Sequence, residues 1–125
     1  MTKIYLIRHA EAEGNLYRRI QGHWDGSITA LGLQQIDALA QRFRHEHIDA
    51  LYCSNLSRAR VTAEAITRYH DVPAVATPRL AEICIGVWEG RAWGDVEHEF
   101  PEQMRYFNTD PEKWSVPGGL SLIHI

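Results

Sequence analysis

The chain holds only two cysteines, Cys53 and Cys84, and neither a Cys-x-x-Cys pair nor a Cys/His spacing of the zinc-binding kind. That scarcity excludes a disulfide-stapled secreted scaffold and predicts reduced thiols in a cytoplasmic protein. No apolar run reaches the length of a membrane-spanning helix, and Met1 to His9 is too short and too charged for a signal segment. No repeat period and no low-complexity stretch is present. An excess of positive charge is also missing: the formal net charge is −3, so no bulk field draws the molecule to nucleic acid or an anionic membrane. Any anion site must be built locally.

What is present is the make-up of a globular domain, with 45% hydrophobic and 23% charged residues in 125. Lys3 to Ile7 reads as a β-branched first strand, with Arg8-His9 at its end. A long loop with Gly14, Gly22 and Gly26 follows. Thr29 is the expected N-cap of a helix whose inner face carries Leu33, Ile36, Leu39, Ala40 and Phe43. Ala50 to Cys53 predicts a second strand, and Ser57 the cap of a second helix with Val61, Ala65 and Ile66 inward. Pro73 to Thr77 is a further strand candidate. Trp93–Glu99 and Pro101–Phe107 predict short helices, with Pro101 suited to a first helical position. Alternating strands and helices give an α/β domain with a largely parallel sheet, whose ligands gather at the carboxyl ends of the strands.

A single histidine after a strand is more often held by hydrogen bonds than reactive. The balance changes with Arg58, a second cation at the matching place after the second strand. If the two strands are parallel neighbours, Arg8, His9 and Arg58 converge, and guanidinium forks suit phosphate oxygens. Glu11 and Glu13 lack further acidic partners for a metal site. Arg18, Arg19 and Arg60 are read as solvated, and Trp88, Trp93 and Trp114 as packing residues. His45, His47, His70 and His98 lack ligand spacing.

Four ordered blocks resemble the histidine phosphatase superfamily, also called phosphoglycerate-mutase-like. Arg8-His9-Ala10-Glu11-Ala12-Glu13-Gly14-Asn15 is similar to R-H-G-E-S/T-x-x-N, with Ala10 and Ala12 as departures. Gln21-Gly22 with Asp25, Thr29 and Gly32 resembles G-x-x-D and T-x-x-G. Ser54 to Ala63 resembles S-x-L-x-R-A-x-x-T-A. Leu80-Ala81-Glu82 with Gly86 to Gly90 resembles L-x-E-x-x-x-G-x-W-E-G. The resemblance implies a three-layer sandwich with a largely parallel sheet flanked by helices. It implies His9 as the nucleophile that becomes phosphohistidine, Arg8 and Arg58 as grips on the phosphoryl oxygens, and Glu82 as proton donor to the leaving group. Asn15, Gln21 and Gly22 fall at the pocket rim, where loop-structural roles compete with substrate binding. No cofactor and no metal is implied, since a neutral imidazole attacks phosphorus directly once cations offset the substrate's charge. The expected partner is a small phosphorylated metabolite, with no role for nucleic acid or membrane.

Two other activities fit the same blocks. A phosphoglycerate mutase would share the nucleophile, but family mutases resemble E-R-H-Y-G after the acid, where this chain has Glu82-Ile83-Cys84-Ile85-Gly86. A non-catalytic phosphate-binding module would be expected to have lost His9 or Glu82, and both are present. The aromatic-rich stretch from Arg91 to Val116 is where the family varies with substrate.

The family's second pocket histidine follows a later strand than any in this chain. Pro117-Gly118-Gly119 resembles P-G-G-E-S, yet Leu120-Ser121-Leu122-Ile123-His124-Ile125 replaces the rest. Those residues equal the in-frame translation of CTGTCTCTTATACACATC, a transposon-end adapter of sequencing libraries. The expected organisation is a histidine phosphatase domain over 1–119, incomplete at its C-terminus, and a non-native tail over 120–125, so His124 is not the missing histidine. Resequencing the source locus is expected to reveal Glu-Ser after Gly119 and a later His-Gly; a native stop after Ile125 would refute this.

Overall fold

A computed structural model describes residues 1–120, which divide into two compact units. The expected tail residues 121–125 lie outside the described residues. In chain order the elements are α1 (Glu13–Leu16), α2 (Ala30–Phe43), β1 (Leu51–Ser54), α3 (Ser57–Thr67), β2 (Ala74–Thr77), α4 (Trp93–Glu99) and α5 (Pro101–Thr109), with 3-10 turns at Pro78–Leu80, Gly86–Trp88 and Pro111–Lys113.

The first unit comprises Met1–Ala12 and Ser27–Leu80. β1 and β2 pair in parallel, Leu51 opposite Ala74 and Ser54 opposite Thr77. The α3 crossover between them makes the βαβ unit that the alternating pattern predicts. Side chains alternate across a strand, so Cys53 is buried while Tyr52 and its register partner Val75 stay exposed on the opposite face. Burial pushes the Cys53 thiol up, which keeps it protonated. Helix α2 packs on α3, with Ile36 and Ala40 against Ala65 and Ala10 in one apolar cluster. Phe43 is buried too, but Leu33 is exposed and does not belong to the inner face that its spacing predicted.

Thr29 caps α2 from an extended conformation, its Oγ1 accepting the Gly32 N–H at 3.0 Å. The same residue ties α2 to the segment after His9, since the Thr29 N–H donates to the Glu11 carbonyl at 3.1 Å and its hydroxyl to Glu11 Oε1 at 2.6 Å. Ser57 is not the cap of α3: the cap position is Leu56, and Ser54 Oγ instead accepts the Leu56 N–H at 3.1 Å.

The expected first strand is corrected. Lys3 to Ile7 has no ladder partner among the described residues, and a strand exists only through its ladder. One side of the segment is nevertheless fixed. Tyr5 packs edge-on against Phe43 at 5.0 Å between ring centroids and donates to Glu46, whose carboxyl is held down to about 2 by Tyr5, Arg42 and Lys3. Ile4 and Leu6 are exposed, at 77% and 95%. With Tyr52 and Val75 they leave this unit with bare apolar surface, where parallel sheets are ordinarily covered on both faces.

The second unit comprises Glu13–Gly26 and Ala81 onward. Its core is built on Trp88 and Trp114, 5.7 Å apart and both buried, with Phe107 wedged against each at 5.9 and 5.5 Å. Ile20, Ile85, Val96, Met104 and Val116 complete it. Trp93, Phe100, Tyr106 and Phe107 pack against this core and are partly buried. Helix α5 begins with Pro101 in its first turn, as predicted, and runs two residues longer than expected.

Gly32 shows why its position cannot carry a side chain. A Cβ there would sit 2.2 Å from the Glu11 carbonyl oxygen. In an ordinary helix Gly→Ala stabilises, but here the added methyl must push α2 off the Glu11 backbone. Gly32→Ala is expected to destabilise by about 1–3 kcal/mol, read as a lower thermal midpoint; a raised midpoint would contradict this packing.

Candidate active site

In the first unit the residues named as nucleophile and grip are joined through one buried hydroxyl. Thr62 Oγ1 accepts the Ala10 N–H at 2.9 Å and donates to the Arg58 carbonyl at 2.7 Å. The backbone that carries His9 is thereby fixed to the first turn of α3, which carries Arg58. His9 Nδ1 lies 2.7 Å from the Ala10 carbonyl oxygen. A carbonyl only accepts, so Nδ1 is the nitrogen that donates in this bond. Ala10 and Ala12, the departures from the family pattern, are both buried.

Arg58 is 3% exposed, whereas Arg60, two residues along the same helix, is exposed. Burying a guanidinium costs several kcal/mol before any partner is counted, and the first turn of a helix adds the unfavourable end of its dipole. Arg58 is therefore not a solvated surface arginine. Arg8 is exposed and His9 half-buried.

In the second unit Glu82 is exposed, its Oε1 accepting the Ile83 N–H at 2.9 Å. Asn15 lies in α1, a short helix that the loop reading did not predict, and is exposed. Gln21 lies over Gly14, where a Cβ would meet Gln21 Cγ at 2.2 Å, and its Oε1 is buried without a hydrogen-bond partner among the described residues. Gly22 is buried with φ +50°. Arg19, read as solvated, donates from Nη1 to the Gly90 carbonyl at 2.6 Å and so helps close this unit.

Sequence reasoning assigned no role to Thr62, His23 or Glu89. Thr62 and Glu89 stand inside the recognised blocks, but only the fold shows what they bond. Glu89 Oε1 accepts the N–H groups of His23 at 3.0 Å and Ile85 at 2.8 Å. Partial burial raises the Glu89 carboxyl, but these bonds outweigh it and hold the group below its usual range. Among the described residues no group of three or more His, Cys, Asp or Glu is arranged to hold a metal ion, and no helix is long and apolar enough to cross a membrane.

The chain matches the Histidine phosphatase superfamily (branch 1) over residues 4–125. It is 35% identical over 125 residues to Phosphoserine phosphatase 1 of Hydrogenobacter thermophilus, covering all of this chain and 59% of that protein. It is 33% identical over the same length to a probable phosphoglycerate mutase, GpmB, of Yersinia pestis, covering 58% of it. The fold is similar to the crystal structure of a putative alpha-ribazole-5'-P phosphatase from Escherichia coli, with a TM-score of 0.84 and 28% identity over 94% of this chain and 58% of that one. The chain thus spans about three fifths of the length of these proteins.

Arg58 offers the sharpest test of the expected phosphate site. Lysine keeps the charge but not the planar fork that binds two oxygens at once. Arg58→Lys is expected to lower phosphatase activity of the full-length protein roughly a hundredfold, and Arg58→Ala further. Full activity in Arg58→Ala would remove Arg58 from the site.

Proposed function

The chain belongs to the histidine phosphatase superfamily, and on that premise we propose that it is the nucleophile-bearing part of a phosphatase that hydrolyses a small phosphomonoester through a phosphohistidine on His9. The observation that carries the reading is the Nδ1 bond of His9 to the Ala10 carbonyl, which leaves Nε2 as the attacking atom. Arg58, buried in the first turn of α3, supports a phosphate grip over a solvated arginine.

The reaction follows from these groups. Nε2 of His9 forms a bond to phosphorus as the bond to the ester oxygen breaks, and the Glu82 carboxyl passes its proton to that leaving oxygen. Arg8 and Arg58 hold the remaining phosphoryl oxygens and offset their charge, the larger part of catalysis in a transfer of this kind. In the second half, the Glu82 carboxylate takes a proton from water, the water oxygen bonds to phosphorus, and the P–N bond breaks to release orthophosphate. No step calls on a metal or cofactor.

Hydrolysis is favoured over the mutase reaction because the segment after Glu82 has no polar side chain to hold a glycerate. Ile85 is buried in the second unit's core, Ile83 packs against it, and Cys84 Sγ donates to the Gly118 carbonyl. The substrate belongs among small phosphorylated metabolites. Relatives described as phosphoserine and alpha-ribazole-5'-P phosphatases put amino-acid and nucleoside-type monoesters first on a panel. The working protein is proposed to continue past Gly119 and to supply a second histidine to the pocket.

Assayed at full length against that panel, with chelator present, the protein is expected to release phosphate. His9→Ala is expected to abolish turnover and covalent labelling, while Glu82→Gln still forms phosphohistidine from an activated aryl phosphate but fails with alkyl esters. Normal turnover by His9→Ala would end the proposal.

A further inference from the structure

The second unit contains a clamp on the Glu82 segment that the four sequence blocks do not reveal. His23 comes from the loop after Gln21-Gly22, a position outside the recognised pattern. Its ring Nε2 lies 2.8 Å from the Glu82 carbonyl oxygen, so Nε2 carries the proton and donates. The backbone of the same residue is held from the other side, its N–H donating to Glu89 Oε1 at 3.0 Å. That oxygen also takes the Ile85 N–H at 2.8 Å, three residues beyond Glu82. One carboxylate oxygen therefore gathers both loops, and the imidazole closes the circuit onto Glu82 itself.

Gly22 fits the same device. A Cβ at Gly22 would lie 2.5 Å from Glu89 Oε1, and its φ of +50° is a conformation that side chains disfavour. The glycine leaves room for the carboxylate to reach the His23 amide. A carboxylate with two amide donors is a fixed point, and the backbone is tied to it at the Glu82 carbonyl through His23 and again at Ile85. The Glu82 side chain, by contrast, is oriented by its bond from the Ile83 N–H.

We propose that His23 and Glu89 are positioning residues that hold the Glu82 segment against the Gly22 loop and so set where the Glu82 carboxyl can deliver its proton. This rests on the reading of Glu82 as the general acid. Its physical basis is that proton transfer requires heavy atoms within hydrogen-bond reach, so a small displacement of the acid's backbone costs rate only where the leaving group needs a proton. Esters with good leaving groups depart without one.

The experiment uses the full-length protein of the source locus, with His23→Ala, His23→Gln and Glu89→Ala variants. Backbone amide exchange is measured at His23, Ile83 and Ile85, and kcat is measured for an aryl phosphate and an alkyl phosphate. Exchange in Glu89→Ala is expected to rise at least tenfold at His23 and Ile85, and in His23→Ala at Ile83. Both Ala variants should lose at least tenfold in kcat on the alkyl ester and far less on the aryl ester, and His23→Gln, which keeps a side-chain N–H donor, should recover most of the loss. Unchanged exchange at Ile83 in His23→Ala overturns the clamp whatever the activity. Equal losses on both esters overturn the positioning role, because general unfolding would produce them. A parent protein that hydrolyses neither ester strikes at the phosphatase reading alone, since the exchange pattern judges the clamp separately.

Discussion

The first unit depends on the hydroxyl of Thr62. It is buried, it accepts from the backbone that follows His9, and it donates to the backbone of Arg58. An unsatisfied buried polar group costs about 1–3 kcal/mol, so each of its partners is held by the penalty of losing it. Two residues almost fifty positions apart are thereby fixed in one frame. The neighbouring packing supports that frame: Ala10 is buried in one apolar cluster with Ile36, Ala40 and Ala65.

The second unit uses a charge for a similar purpose. Glu89 accepts two backbone N–H groups from separate loops, and the adjacent Trp88 anchors the segment in an aromatic core with Trp114 and Phe107. A polar fixed point next to an apolar one leaves the intervening backbone little freedom. Both units thus hold the backbone near the proposed site residues by buried or half-buried polar junctions set beside apolar packing. The side chains of Arg8 and Glu82 are exposed.

Apolar side chains of the first unit, Ile4, Leu6, Tyr52 and Val75, are exposed. The Lys3 to Ile7 segment has the composition of a strand but no ladder partner among the described residues. Composition predicts which residues pair well; it does not provide the partner.

Much was legible in the sequence because it depends on local or periodic physics. Thr29 announces a cap through its hydroxyl, Pro101 a helix start through its fixed φ, and Ile36, Ala40 and Phe43 a buried stripe through their spacing. The burial of Arg58 against the exposure of Arg60 was decided only when α3 folded back between its strands, because two arginines two residues apart have the same local chemistry and differ only in which way the helix turns them. The same holds for Leu33, displaced from the inner face, and for Thr62, His23 and Glu89, whose partners lie far away in the chain. Sequence by itself determined the longer helices, the β1–α3–β2 alternation and the chemistry on offer, since propensity, periodicity and charge belong to each residue and its near neighbours. Tertiary structure alone decided which of those groups share a hydrogen bond, because that depends on long-range packing.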